Sequence, residues 1–325
     1  MLNGKSILIT GGTGSFGHKF TQRVLESYPN IKKIVLFSRD RKKQAEMASS
    51  VNDKRVEYLS GDIARIEDTD KACQGIDIII HTAAMRIVPE AENNPWQCIL
   101  TNIQGARNLI DCAIKYHIPQ ILALSTDMAS SAHNVYGATK MLSDKLYIAA
   151  HQEHPTLKTT VIRYGNMFGS AGTVIPFFIR KVKEEGILPV TDPKMTRFMS
   201  TLDECVDIAL NALDKSLGGE IIAPKIKSYN ILTIAEAIAP QAPINIVGLR
   251  PGEKLAEEMV SPYEAYHTIE ASDCYVITPT YKDINLYCDH YQGKLVAQDF
   301  KFDSENNPWK FSPEDIRVLI KQSKL

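Results

Sequence analysis

Apolar residues occur in short blocks through the first half of the chain. Lys5–Thr10 (KSILIT), Lys33–Phe37 (KIVLF), Val56–Leu59 (VEYL), Asp77–His81 (DIIIH), Gln120–Ser125 (QILALS) and Thr159–Arg163 (TTVIR) are short runs rich in Ile, Leu and Val. Runs of this length, bounded by polar residues or glycine, predict strands buried on both faces. Between them the apolar positions take helical spacing, at about Phe16–Ser27, Arg41–Ser49, Pro95–Tyr116 (one long helix) and Tyr136–His151. Strand and helix in alternation predict a doubly wound α/β fold, a parallel sheet with helices on both faces. Beyond about Tyr164 the rhythm breaks, and Pro176, Pro189, Pro193, Pro224, Pro240, Pro243 and Pro251 interrupt it. This predicts a wound domain over residues 1–165, to which later segments can return. Residues 166–325 then form mainly a smaller domain at the carboxyl ends of the strands.

The bulk properties narrow the partners. The chain has 325 residues, enough for about two domains or one large α/β unit. With 37 Lys+Arg against 38 Asp+Glu, its net charge of −1 gives no electrostatic reason to expect nucleic acid or a membrane surface. Cys73, Cys98, Cys112, Cys205, Cys274 and Cys288 lie far apart with no Cys-x-x-Cys, so they read as small core residues rather than metal ligands. His151 and His154 lack the carboxylate of a His-Glu-x-x-His motif, and no metal is expected. No apolar run reaches the ~18 residues needed to span a bilayer. Met1–Lys5 leads straight into a strand without the layout of a signal peptide, so a reducing cytoplasm is the expected location.

Candidate chemistry begins at the first strand's end. Gly11-Gly12-Thr13-Gly14-Ser15-Phe16-Gly17 joins that strand to the first helix. Glycines at 11, 14 and 17 permit a tight turn and close approach of backbone to a pyrophosphate, which the helix N-terminus then attracts. The turn Gly11, Thr13, Gly14, Ser15, Phe16 and Gly17 is thus the expected dinucleotide site. About twenty residues on, NAD-binding chains place an acidic residue against the ribose 2′-OH. Here Ser38 and Arg39 offer a hydroxyl and a guanidinium, with Asp40 one step late, so the expected cofactor is NADP.

Tyr136 and Lys140 stand four apart on one helix face. An ammonium beside a phenol favours the phenolate and can hold a nicotinamide ribose, so the pair suits proton removal from a sugar hydroxyl during hydride transfer. Tyr28 and Lys32 share the spacing, but Pro29 puts them in a loop. Ser125-Thr126, at the end of the fifth strand, supplies a hydroxyl at the sheet edge where ligands bind.

The Gly-x-x-Gly-x-x-Gly spacing resembles the extended short-chain dehydrogenase/reductase superfamily. The segments GGTGSFG, FSRD, LSTDMAS, YGATK, RYGN, MTRF and RPGEKL look like the inverting UDP-N-acetylglucosamine 4,6-dehydratases that begin pseudaminic-acid synthesis, over nearly the whole chain. The resemblance implies bound NADP, UDP-N-acetylglucosamine or a related UDP-sugar as substrate, and a homo-oligomer, dimer or hexamer. It implies that Asp62 meets the adenine, with Ile63, Ala83 and Ala84 also against the cofactor. It gives Arg86, Asn166, Val174, Thr196, Arg197, Arg250 and Glu253 to the sugar nucleotide. The implied reaction oxidises C4, eliminates water across C5 and C6, and returns the hydride at C6 with inversion at C5.

In that family a Thr-Asp-Lys after the fifth strand supplies a hydroxyl, the acid for the C6 leaving group and the C5 base. This chain has Thr126-Asp127-Met128, and a thioether cannot abstract a proton. The family's Lys-His before Val-Pro is also changed, to Arg86-Ile87 before Val88-Pro89. Three readings follow. The chain is a dehydratase whose C5 base is another residue or whose Lys was replaced, a UDP-sugar 4-epimerase that needs no C5 base, or a binding homologue without turnover. The intact Asp127 favours the first, since an epimerase needs no acid there.

Overall fold

A computed structural model of the chain describes residues 1–170 and 173–323. Six strands and their helices alternate as the apolar blocks predict: β1 (Ser6–Thr10), α1 (Ser15–Ser27), β2 (Lys33–Ser38), α2 (Arg41–Ser50), β3 (Val56–Ser60), α3 (Ile66–Ala72), β4 (Ile78–His81), α4 (Val88–Asn93), α5 (Pro95–Ile99), α6 (Gly105–Lys115), β5 (Gln120–Thr126), α7 (Val135–Glu153) and β6 (Lys158–Tyr164). They form a parallel sheet in the order β3-β2-β1-β4-β5-β6. The alternation of side chains along each strand fills two separate cores. Ile7 and Ile9 pack on one face with Phe20 and Val24 of α1. Leu8 points to the other face, with Ile79, Ile121 and Leu109 of α6.

One feature departs from the pattern expected of the sequence, and the return of later segments to the wound domain takes a definite form. The single helix expected over Pro95–Tyr116 is broken by a π-helical turn at Leu100–Gln104. Its Asn102 is buried, and its side chain takes the amide hydrogen of Met85 (2.8 Å) and donates to the Met85 carbonyl (3.1 Å). The wide turn thus pins the segment after β4 at the sheet's carboxyl edge, as π-bulges at ligand sites tend to do. The chain beyond 165 also divides its loyalty. Ile221–Pro224, Cys274–Ile277, Thr268–Glu270 and Lys294–Leu295 return to extend the main sheet past β6. The rest builds small sheets, Asn166–Met167 with Thr196–Ser200 and Ser228–Asn230, and Leu188–Val190 with Ile244–Ile246. A third core, with Phe178, Met199, Tyr229, Ile234 and Ile316, holds this smaller region together.

Among the described residues no helix is long and apolar enough to cross a membrane, and no group of three or more His, Cys, Asp and Glu could hold a metal ion. All six cysteines are free, and five are buried.

Candidate active site

The carboxyl ends of the strands open into a cleft of about 420 Å³. Its floor starts at the glycine turn, where Gly11, Thr13, Gly14, Ser15 and Phe16 face the opening. Gly17 is needed for packing: a Cβ there would lie 2.4 Å from the Gly12 carbonyl oxygen, so only glycine lets α1 start this close to the turn. No side chain caps α1 at Gly14, and its first turn carries no acidic residue. Its leading N–H groups are thus open to an anion in the cleft.

Ser38 and Arg39 line the far end, with Asp40 and Lys43. Asp40 accepts from the Lys43 amide (3.0 Å) and caps α2, which explains its late position. Lys43 was not singled out in the sequence, although it is a second cation close behind Arg39. Ile63, Ala83 and Ala84 also line the cleft. Asp62 takes the Ala64 amide hydrogen (3.0 Å) and faces Arg39 (3.6 Å) from beside these residues.

At the middle of the cleft β5 ends on Thr126 and turns through the 3-10 segment Asp127–Ala129. The Thr126 hydroxyl donates to Asp127 Oδ1 (2.9 Å), which also takes the Met128 amide hydrogen (3.0 Å). Helix α7 seats directly on this turn. A Cβ at Gly137 would lie 2.5 Å from the Met128 carbonyl oxygen, so the glycine after Tyr136 brings the phenol beside Thr126. Burial raises the Tyr136 phenol well above its ordinary pKa, and the Thr126 hydroxyl and the Arg86 charge counter this in part. The Lys140 ammonium, expected to favour the phenolate, donates to the Leu124 carbonyl (2.8 Å). Tyr136, Lys140, Thr126, Asp127, Met128, Arg86 and Asn166 share the cleft wall.

Asp127 is buried, and burial followed by the Glu257 carboxylate pushes its carboxyl up to about 7. Glu257 is itself buried, 3.2 Å from Lys254 Nζ and 4.0 Å from Arg197 Nη2. Glu257 was not singled out in the sequence, where it stands beside Glu258 in the run Lys254–Val260 and has no distinguishing mark. An Asp127 with this pKa is protonated below about pH 7 and serves there as an acid. The expected result is a kcat/KM that falls above about pH 7. In Glu257→Gln the loss of the negative neighbour lets Asp127 ionise more easily, so that limb moves to lower pH by about one unit. A pH profile whose alkaline limb stays in place in the variant would show that Glu257 does not set it.

The remaining expected substrate residues stand away from the cleft wall. Val174 opens the helix Val174–Glu185 just after Thr173, which does line the cleft. Thr196 bonds Ser304 (2.8 Å). The Arg197 guanidinium donates to the carbonyls of Thr196 (2.7 Å), Lys254 (2.9 Å) and Leu255 (3.1 Å), bracing the 250–257 segment. Arg250 is exposed and pairs with Glu253, Nε to Oε1 at 2.9 Å. Burial pushes the Glu253 carboxyl up, but the bonded and charged Arg250 holds it below its ordinary value. Asn166, on the wall, donates to the Tyr229 hydroxyl (3.0 Å).

A glycine turn feeding an uncapped helix, and a Tyr–Lys pair beside a Thr-Asp turn, define a nucleotide-sugar enzyme of the extended short-chain kind. Residues 7–279 match the polysaccharide biosynthesis protein family, and the chain belongs to it. It is 43% identical over 98% of both chains to the UDP-N-acetylglucosamine 4,6-dehydratase (inverting) of Campylobacter jejuni subsp. jejuni serotype O:23/36. It is 34% identical to the UDP-glucose 4-epimerase of Rickettsia conorii, over 97% of this chain and 95% of that one. The X-ray structure of Pen from Bacillus thuringiensis superposes with a TM-score of 0.91 at 31% identity, covering 100% of this chain and 99% of that one.

Proposed function

We propose that this chain is a UDP-N-acetylglucosamine 4,6-dehydratase of the C5-inverting kind that uses NADP. The observation that carries the reading is Asp127, an acid with a near-neutral pKa bonded to Thr126 in the same cleft as Tyr136 and Lys140. The 43% identity to a dehydratase over 98% of the chain supports it. A nicotinamide dinucleotide fits the site: its diphosphate would meet the free N–H groups of α1, and a 2′-phosphate would meet Ser38, Arg39 and Lys43. When bound, it supplies the acceptor and later the donor of the sugar's hydride.

The chain's own residues account for the proton traffic. Tyr136 takes the proton of the C4 hydroxyl, with Thr126 donating to the oxygen. Lys140 holds the nicotinamide ribose and supports the phenolate. The C4 ketone makes the C5 proton acidic, and Asp127 protonates the C6 hydroxyl as it leaves. Met128 is inert and Tyr136 already carries the C4 proton, so the C5 proton falls to Asp127, one oxygen accepting it as the other gives its proton to the departing C6 hydroxyl, which leaves as water. The same reading carries a homo-oligomer, dimer or hexamer.

The second reading, 4-epimerisation, is favoured by Met128 and by the likeness to a UDP-glucose 4-epimerase. One experiment separates them: incubation with UDP-N-acetylglucosamine in D₂O, followed by NMR of the nucleotide sugar. A 4-keto-6-deoxy product with deuterium at C5 is expected. UDP-N-acetylgalactosamine without exchange at C5 would establish the epimerase, and unchanged substrate with binding shifts would establish a binding homologue. For the cofactor, Arg39→Ala should weaken NADP by roughly ten- to a hundredfold and NAD little, because charge-assisted bonds to phosphate contribute about 1.5–3 kcal/mol. Fluorescence titration with both cofactors reads this, and equal losses for the two would exclude a 2′-phosphate site at Arg39.

A further inference from the structure

Behind the cleft, α7 carries a second ionisable residue on the Tyr136–Lys140 stripe. Asp144 lies one turn beyond Lys140 on the same face. Both side chains are 2% exposed. Asp144 Oδ2 is 3.7 Å from Nε of Arg163, a β6 residue that is 1% exposed. The fork of Arg163 meets Glu264 at 2.8 and 2.9 Å and also donates to the Met259 carbonyl (2.8 Å). Glu264 Oε2 in turn accepts from the Ser130 hydroxyl (2.9 Å) and the Ser261 amide (3.0 Å). Ser130 directly follows the turn that bears Asp127 and Met128.

Arg163 thus pairs with Asp144 and Glu264 behind the cleft, and Lys140 stands one helical turn before Asp144 on the same face, so the four buried charges alternate in sign with a formal sum of zero. As a stability device this is a poor choice, since well-packed apolar residues often serve as well or better than buried ion pairs. We infer that Asp144 is a positioning residue that keeps the buried Lys140 ammonium charged and aimed at the cleft, with Arg163 and Glu264 holding Asp144 in place. The role assigned to Lys140 rests on the oxidation step proposed above.

The surroundings agree. Burial pushes Lys140 down, and Asp144 first, then Cys98 of α5, counter it. Burial pushes Asp144 up, and Arg163 followed by Lys140 draw it back; Ser125 of β5 faces it as well. His81 of β4 is pushed far down by burial and by Lys140, so it stays neutral. Tyr147, on the next turn of α7, is raised by burial and by Asp144 and also stays neutral. Burial pushes Glu264 up, but Arg163 holds it below its ordinary value, so it stays charged. Asp144 is thus the anion that does most to counter the burial of Lys140.

The test uses the full chain with ¹⁵N-labelled lysine. The Nζ signal of Lys140, identified by its loss in Lys140→Arg, is titrated in wild type, Asp144→Asn and Asp144→Glu. The expected result is titration at a pH lower by a unit or more in the Asn variant, with return toward wild type in the Glu variant. In turnover of UDP-N-acetylglucosamine, the alkaline limb of the Asn variant should move to lower pH, because Lys140 loses its proton sooner without Asp144. Its kcat at pH 7 should fall about tenfold with KM little changed. An unchanged Lys140 titration in a folded Asn variant would overturn the inference. If that variant does not fold, Glu264→Gln, on the far side of Arg163, should give a smaller displacement in the same direction, and none would overturn it equally. The NMR titration needs no turnover, so an inactive wild type would defeat the proposed reaction while leaving this result readable.

Discussion

Tyr136→Phe should lower turnover of UDP-N-acetylglucosamine by roughly 10²- to 10⁴-fold, the usual range for removing a positioned general base. Binding of the nucleotide sugar should change little, because the hydroxyl is the only group lost. The ring stays wedged between α7 and the Thr126–Met128 turn, where Gly137 already allows the tightest approach. Steady-state kinetics in the presence of NADP check this, with kcat and KM resolved separately. A variant that loses affinity and rate together would mean that Tyr136 mainly shapes the pocket.

The opposite sign is expected at Met128. Met128→Lys should raise dehydratase turnover by on the order of 10²-fold, since it places an amine beside the buried Asp127, which otherwise has to serve both the C5 proton and the C6 hydroxyl. The backbone needs no adjustment: the Met128 amide is fixed to Asp127 Oδ1 and its carbonyl is pressed against Gly137. The new cation would also favour the Asp127 carboxylate, so the alkaline limb of the pH profile should move below about 7 in this variant. The D₂O assay measures both effects. A variant that binds substrate normally and gains no rate would show that the thioether is not what limits the wild type.

The sheet and the glycine turn were legible because each is set by short-range chemistry. Runs such as DIIIH can bury only as central strands, and the glycines at 11, 14 and 17 leave few other turns available. The Tyr136–Lys140 pair and the Thr126–Asp127 turn were legible for the same reason, being local spacings next to a strand end. What escaped depends on distant partners. The break at Leu100–Gln104 lies inside a good helical pattern, and its purpose is visible only once Asn102 meets Met85. Glu257 and Asp144 look like ordinary acidic residues until the fold buries them against Asp127 and Lys140. The family resemblance gives Arg197 and Arg250 to the sugar nucleotide, yet where they point is decided by the carbonyls of Thr196, Lys254 and Leu255 and by Glu253. The return of Ile221–Pro224 and Cys274–Ile277 to the main sheet has no local signal beyond two short apolar runs.

Asn134 meets two demands at once. Its side-chain oxygen accepts from the Gly137 amide (2.8 Å) at the start of α7, and its nitrogen donates to the Gly252 carbonyl (2.8 Å) in the Arg250–Leu255 loop. Most helix starts accept Asp, Ser, Thr or Asn about equally well. Here the menu shrinks. An aspartate would cap the helix but repel the carbonyl, and a serine would need one hydroxyl to reach in two directions. The amide alone can face both ways. The identity of a single capping residue therefore joins the loop after Arg250 to the turn of helix on which Tyr136 stands.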